Sequence, residues 1–333
     1  QKLYDLARGK DARPWCLTVS FTHPHDPYVA RRKFWDLYEG YPELEPRVGA
    51  VPFEDQDAHS QRLYLANDYK NFDITDEDVR RSRQAYYANI SYLDDKIAAL
   101  LDTLKRCRMD EDTVVVFCSD HGDMLGERGL WFKMSFFEGS ARVPMMIAGP
   151  GIEGKTVTAP VSTIDITPTL ADIAGVDLSE VAPWTDGESL KPLIEGGERS
   201  SPVLIEYAAE GSYAPLISIR RGRFKFNHCE LDPPQLFDLE ADPDELTNLA
   251  TDPAHAETLA AFMTEMRERW DMEKFDREVR DSQARRWVVY EALRNGSYYP
   301  WDFQPLQKAS ERYMRNHMDL NVLEESQRFP RGE

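Results

Sequence analysis

The stretch richest in reactive side chains is Ser119-Asp120-His121-Gly122-Asp123, set directly after the apolar run at 113–118. An Asp-His pair there offers a carboxylate oxygen and an imidazole nitrogen to one divalent ion. The same residues also suit a plain polar turn in which Asp120 and Gly122 reverse the chain. Lys133 follows in Gly129-Leu130-Trp131-Phe132-Lys133. Folded back over a metal, its ammonium would meet an anionic oxygen as a point charge; by itself it reads first as a solvated surface lysine. His25, in Pro24-His25-Asp26-Pro27, could give a proton to a leaving group. His23 competes for that part, and a loop histidine with no chemical task is the alternative for either.

These residues need a scaffold that brings separate loops together. Residues 15–21 (WCLTVSF) are apolar and partly β-branched, which predicts a buried strand stopped by Pro24 and Pro27. Residues 39–71 are polar and predict a surface excursion. Thr75 followed by Asp78 opens a helix. Its apolar face recurs at Ile90, Leu93, Ile97, Leu100, Leu101 and Leu104, and it ends near Cys107. The 113–118 run (TVVVFC) predicts a strand of the kind covered on both faces in parallel sheets. Residues 143–148 predict a further strand, and 165–174 a helix stopped at Gly175. Strand, helix, strand implies an α/β sandwich, with ligands at strand carboxyl ends. After about residue 196, short strands at 203–207, 216–220 and 223–228 predict a small antiparallel sheet, followed by a helix at 255–274. A tail at 276–333 mixes aromatics with charges.

The 333 residues suffice for a large core. A net charge of -19 argues against nucleic acid and anionic membranes as partners and would favour a cationic substrate, although acidity for solubility alone gives the same balance. Cys16, Cys107, Cys118 and Cys229 form no metal or disulfide pattern. Cys16 and Cys118 read as buried thiols, and a reducing, cytoplasmic setting fits best. No apolar run approaches the length of a membrane helix.

Five blocks, in order, carry a resemblance to the sulfatase family. They are Pro24-His25-Asp26-Pro27; the helix residues 89–104; Ser119-Asp120-His121-Gly122-Asp123 with Lys133 and Arg142-Val143-Pro144; Ser162-Thr163-Ile164-Asp165; and Gln235-Leu236-Phe237-Asp238-Leu239 with Asp242-Pro243, Glu245 and Asn248-Leu249. His121 after Asp120, in place of the family's more frequent asparagine, resembles choline-sulfatases and the related phosphonate monoester hydrolases. The segments at 287–293 and 298–302 resemble choline-sulfatases in particular.

The resemblance implies an alkaline-phosphatase-like α/β sandwich with a central, mostly parallel sheet. Residues 1–196 would belong to the catalytic domain, 197–275 to a small antiparallel-sheet subdomain and 276–333 to an oligomerisation tail. It also implies hydrolysis of a sulfate ester, with choline sulfate the favoured substrate. Asp120 and His121 would ligate one divalent metal: calcium, manganese or magnesium. His25, His121 and Lys133 would be catalytic. Glu210, between Tyr207 and Tyr213, is the candidate carboxylate for a quaternary ammonium, with Trp131 and Trp301 as aromatic walls, the latter across a subunit boundary of a homodimer or homotetramer. A solvated glutamate and two packing tryptophans are the alternatives. The family nucleophile is a formylglycine made within Cys/Ser-x-Pro-x-Arg, which does not occur in this sequence. The resemblance therefore puts the nucleophile and the first metal ligands upstream of Gln1, and a product of these residues alone should be inactive. Phosphonate or phosphate monoester hydrolysis and arylsulfatase activity are alternatives within the superfamily; a non-catalytic sulfatase-like assembly module is the alternative outside it.

Overall fold

A computed structural model of the protein describes residues 1–294 apart from residue 12. The expected long helix spans Asp76–Arg106. Thr75 and Asp78 close a reciprocal capping box on its first turn, three acidic residues complement its positive end, and Lys105 and Arg106 its negative end. Its buried face carries Ala85, Ala88 and Tyr92, and Phe34 packs edge-on to Tyr92 with ring centroids 5.8 Å apart. The polar stretch at 39–71 is more than a surface excursion. It contains the helix Ala58–Ala66, capped by Asp57, which buries His59, Ser60 and Leu63.

Strands β1 (Val115–Cys118) and β2 (Met145–Ala148) pair antiparallel, Val115 opposite Ala148 and Cys118 opposite Met145. The expectation of a mostly parallel central sheet is thereby corrected: both sheets among the described residues are antiparallel. The reason is local. The chain between the strands leaves at Cys118 and returns at Met145, at the same end of the pair, so the second strand must run back along the first. The reading of 15–21 as a buried strand is also corrected. The segment has no strand assignment, and Trp15 and Val19 are exposed. Cys16 and Cys118 are exposed thiols rather than buried ones.

The three expected strands, β3 (Val203–Tyr207), β4 (Leu216–Arg221) and β5 (Phe224–Cys229), form an antiparallel sheet in sequential order, to which β6 (Gln235–Asp238) adds a fourth strand that was not expected. The β4–β5 turn uses Gly222 at φ +53°, where a side chain would be strained. One face of the sheet buries Ile217, Ile219, Phe226 and Leu236 against Phe262 and Met266 of the helix Ala256–Arg269. The predicted 255–274 helix breaks at extended Trp270, and a further helix runs from Met272 to Arg294. Among the described residues no helix is long and apolar enough to cross a membrane. Trp301 and residues 295–333 of the expected tail lie outside the described residues.

A second apolar cluster matters more for the site. Met124, Leu130 and Phe137, from the chain between β1 and β2, pack with Phe237 of β6 and Leu239. The small sheet thus forms a floor under the loop that carries Asp120, His121 and Lys133.

Candidate active site

Three distant loops meet. Lys133 Nζ lies 2.8 Å from His25 Nε2, and the His25 and His121 rings stand edge to face with centroids 5.9 Å apart. Asp120 Oδ2 is 3.6 Å from His121 Nε2. Of the two candidate histidines in the proline-flanked loop, His25 reaches this cluster, while His23 packs on Tyr92 of the long helix at 4.9 Å.

Each side chain is held by something the sequence reading left unremarked. His25 Nδ1 faces Asp26 Oδ1 at 2.9 Å and the Asp26 carbonyl at 3.0 Å. That pairing keeps a proton on Nδ1 and turns Nε2 toward Lys133. The Asp26 hydrogen bond raises the imidazole above the ordinary histidine value, against burial, which lowers it. Burial pushes the Asp26 carboxyl up; the His25 hydrogen bond and the neighbouring positive charges outweigh it, leaving Asp26 below the ordinary range. His121 Nδ1 is 2.7 Å from the Gly122 carbonyl. Nδ1 therefore donates, which leaves Nε2 as the nitrogen on the Asp120 side.

Gly122 has a steric duty. A Cβ on it would lie 2.2 Å from the Gly139 carbonyl oxygen, and its own N–H donates to the Ser140 carbonyl at 2.7 Å. Asp123 braces the turn leading to Lys133. Its Oδ1 accepts the N–H groups of Leu125 at 2.9 Å and Phe132 at 3.0 Å, and its Oδ2 accepts the Tyr28 hydroxyl at 2.8 Å. Burial raises the Asp123 carboxyl above its ordinary value despite those donors, and burial with the Asp123 charge raises Tyr28. Phe132 is held at φ +66°, an uncommon conformation for an aromatic residue, immediately before Lys133. Ser140 Oγ donates to the Lys133 carbonyl at 2.5 Å. Asp26, Tyr28, Asp123 and Ser140 were all missed as contributors. Adjacency to His25 and Gly122 was the only signal for Asp26 and Asp123, and it does not reveal which backbone groups a loop must satisfy.

The substrate-side candidates are placed differently. Glu210 sits on an exposed loop, its Oε2 accepting the Tyr207 hydroxyl at 3.2 Å and its carbonyl accepting the same hydroxyl at 2.9 Å. Tyr207 in turn stands edge-on to His59, centroids 5.6 Å apart, and His59 bonds the carbonyl of Met134, next in sequence to Lys133. The exposed Tyr213 has the Arg62 guanidinium over its ring at 5.7 Å. Trp131 is 6% exposed and clusters with Tyr69, Leu125 and Tyr28. Its indole is packed beneath the loop instead of forming an open wall.

The donor set suits a divalent cation as far as it goes. A carboxylate oxygen and an imidazole nitrogen lie side by side, and the carboxylate side chain is 86% exposed, open to a third group. Among the described residues no cluster of three or more such ligands occurs, so Asp120 and His121 would supply part of a coordination shell.

Comparisons with known proteins place the chain among relatives. The sulfatase family model matches residues 1–176, a model of the choline sulfatase enzyme C terminal matches 277–329, and one of the N-sulphoglucosamine sulphohydrolase C-terminal region matches 126–272. A choline-sulfatase of Rhizobium meliloti (strain 1021) is 68% identical over all of this chain and 66% of its own length. An arylsulfatase of Clostridium perfringens is 33% identical over 59% of this chain and 40% of its own. Among solved structures, the phosphonate monoester hydrolase of Agrobacterium radiobacter superposes with a TM-score of 0.65 at 27% identity, covering 80% of this chain and 59% of that one. The chain thus spans just under two thirds of the length of the choline-sulfatase it matches, and less of the others. With the family model covering more than half of its residues, the chain belongs to the sulfatase family.

Proposed function

We propose that the protein containing this chain hydrolyses a sulfate ester, with choline sulfate as substrate. The observation that carries the reading is the 2.8 Å contact between Lys133 Nζ and His25 Nε2 beside the Asp120–His121 pair. Those four side chains come from loops up to 108 residues apart. A buried core does not need them together; an anionic substrate does.

Asp120 and His121 would hold a divalent cation, which when bound draws charge from sulfate oxygens and eases ionisation of a nucleophile. The nucleophile, a formylglycine, would come from outside these residues, which contain no Cys/Ser-x-Pro-x-Arg motif. The remaining chemistry belongs to this chain. Lys133 sets a positive charge against the transferring group. His25, with Nδ1 anchored on Asp26, carries its working nitrogen on the substrate side. A proton shared between Lys133 Nζ and His25 Nε2 is placed to reach the bridging oxygen as the alcohol leaves. Alkyl alcohols leave poorly without that proton, so the pair suits a choline ester better than an activated aryl ester.

Glu210 is the proposed partner of the quaternary ammonium, which offers no N–H donor and is held by charge and aromatic faces. Its carboxylate is anchored by Tyr207. The 68% identity to a protein named choline-sulfatase supports this specificity. The likeness to a phosphonate monoester hydrolase keeps that reaction as the second reading. The tail would join copies into a dimer or tetramer; Trp287, Val288, Val289 and Tyr290 are exposed on the last described helix.

The test is sulfate release by the complete protein from choline sulfate, an uncharged alkyl sulfate and 4-nitrophenyl sulfate, with a phosphonate monoester alongside. Choline sulfate should give the highest kcat/KM. Faster phosphonate turnover would favour the second reading, and no turnover of any ester would favour a non-catalytic module. Glu210→Gln should weaken choline sulfate far more than the uncharged alkyl sulfate; equal losses would remove Glu210 from the substrate site.

A further inference from the structure

We propose that Lys225 and Glu245 are positioning residues for this site, acting through the short helix Glu138–Ala141; the proposal rests on the catalytic reading above. Lys225 lies on β5 and is 1% exposed. Its ammonium lies against three oxygens: the Phe136 carbonyl at 2.6 Å, Glu138 Oε1 at 3.0 Å and Glu245 Oε1 at 2.5 Å. The last approach is close but off the hydrogen-bond direction, so it counts as an ion pair. Glu245 is itself 3% exposed, and its other oxygen accepts the Glu138 N–H at 2.7 Å, at the first residue of the short helix.

The short helix passes this constraint to the site. Its Ser140 carbonyl accepts the Gly122 N–H, next to His121, and its Ser140 hydroxyl donates to the Lys133 carbonyl. The backbone at Asp244 and Glu245 secures the other end of the same loop. The carbonyls of both residues accept the Arg128 guanidinium. Glu245 holds φ +56° and Arg128 φ +59°. Two left-handed non-glycine residues facing each other across one contact are kept only where surrounding bonds over-determine them. One buried ion pair in the C-terminal subdomain therefore clamps both ends of the segment that sets His121 and Lys133, although neither partner touches the reacting atoms.

A pair that merely glues the small sheet to the main domain would predict different behaviour, and kinetics of the complete protein separate the two. Lys225→Met and Glu245→Gln are each expected to lower kcat for an alkyl sulfate by about 10- to 100-fold, the scale of a small misplacement of catalytic groups, with KM changing far less. The loss should be smaller with 4-nitrophenyl sulfate, whose leaving group depends less on proton delivery by His25 and Lys133. The double variant Lys225→Met/Glu245→Gln removes both buried charges and keeps an acceptor for the Glu138 N–H. Its unfolding midpoint should return toward that of the unsubstituted protein while kcat stays low. Recovery of kcat together with stability, or equal losses on both esters, would overturn the positioning role. An unsubstituted protein inert to every sulfate ester would overturn the catalytic reading and this one with it; an active one with unaffected variants would overturn this one alone.

Discussion

Gly122→Ala tests the site's construction most sharply, because the structure supplies the size of the perturbation. The new Cβ would lie 2.2 Å from the Gly139 carbonyl oxygen and 3.1 Å from the Gly139 carbonyl carbon and the Ser140 oxygen. Carbon and oxygen do not approach so closely, so one backbone must retreat by roughly 1 Å. The Gly139 side is fixed by Lys225, Glu138 and Glu245, so the 120–123 turn is the part that yields. Its retreat stretches the 2.7 Å bond from Gly122 N–H to the Ser140 carbonyl. Overpacking costs about 1–3 kcal/mol, and a part-buried N–H left without its partner costs about 1–3 kcal/mol more. A destabilisation on the order of 4 kcal/mol is expected by urea unfolding. His121 and Asp120 move with the turn, so kcat should fall by about 100-fold. The assay is sulfate release by the complete protein, run beside the unfolding curves. A variant that keeps both its unfolding midpoint and its turnover would refute the close approach and, with it, the argument that the small helix sets the metal-side residues.

Three further outcomes follow from other parts of the molecule. Lys133→Ala should cut turnover by about 100- to 1000-fold, the scale of losing one charge-stabilising donor; its side chain is exposed, so the circular dichroism melt should not move, and unchanged turnover would take Lys133 out of the site. Asp165 is fully buried and held by Arg199 at 2.6 Å and by the N–H groups of Ser162 and Glu188, so Asp165→Ala should cost about 3–5 kcal/mol by leaving a buried guanidinium unpaired; a chemical-denaturation loss below about 1 kcal/mol would mean the pair is solvated. Burial raises the Glu245 carboxyl against the pull of Lys225, so the folded state binds this proton more tightly than the unfolded chain does. Its contribution to stability therefore falls as pH rises from about 4.3, the ordinary glutamate value, through the raised one. Glu245→Gln should flatten the stability–pH curve over that window, and a parallel curve would contradict the assignment.

The sequence reading succeeded where one short segment determines its own conformation. The Thr75–Asp78 capping box set the start of the long helix, and the short runs at 203–207, 216–220 and 223–228, joined by turns, set strands that pair with their immediate neighbours. It failed where partners are distant. The 113–118 run is apolar enough for a covered strand, but strand direction depends on how the intervening chain returns, and that chain is occupied by the site itself. Residues 15–21 have strand composition and no strand assignment. Periodicity also ran past Trp270, because a single extended residue breaks a helix without altering the surrounding pattern. The candidate residues His25, Asp120, His121 and Lys133 were legible as types. Their meeting was not; it rested on the family resemblance, since no local rule brings residue 25 to residue 133.

That division follows from how the site is made. The side chains that would act on substrate occupy short loops, while the groups fixing them are backbone carbonyls and carboxylates contributed by other loops. Asp123 orients Lys133 through the Phe132 N–H, Ser140 holds Gly122 through a carbonyl, and Glu245, more than a hundred residues further along, holds Ser140's helix. Backbone acceptors carry no residue-type signature, so a motif can name the reactive groups and remain silent about what aims them. The C-terminal Gln235–Asp238 strand and the Asp244-Glu245 corner support the loop that carries the Asp-His pair without reaching it themselves. Substitutions there should disturb turnover before they disturb the fold's identity, because the small sheet keeps its own core of Ile217, Ile219, Phe226 and Leu236 whichever way the loop above it shifts.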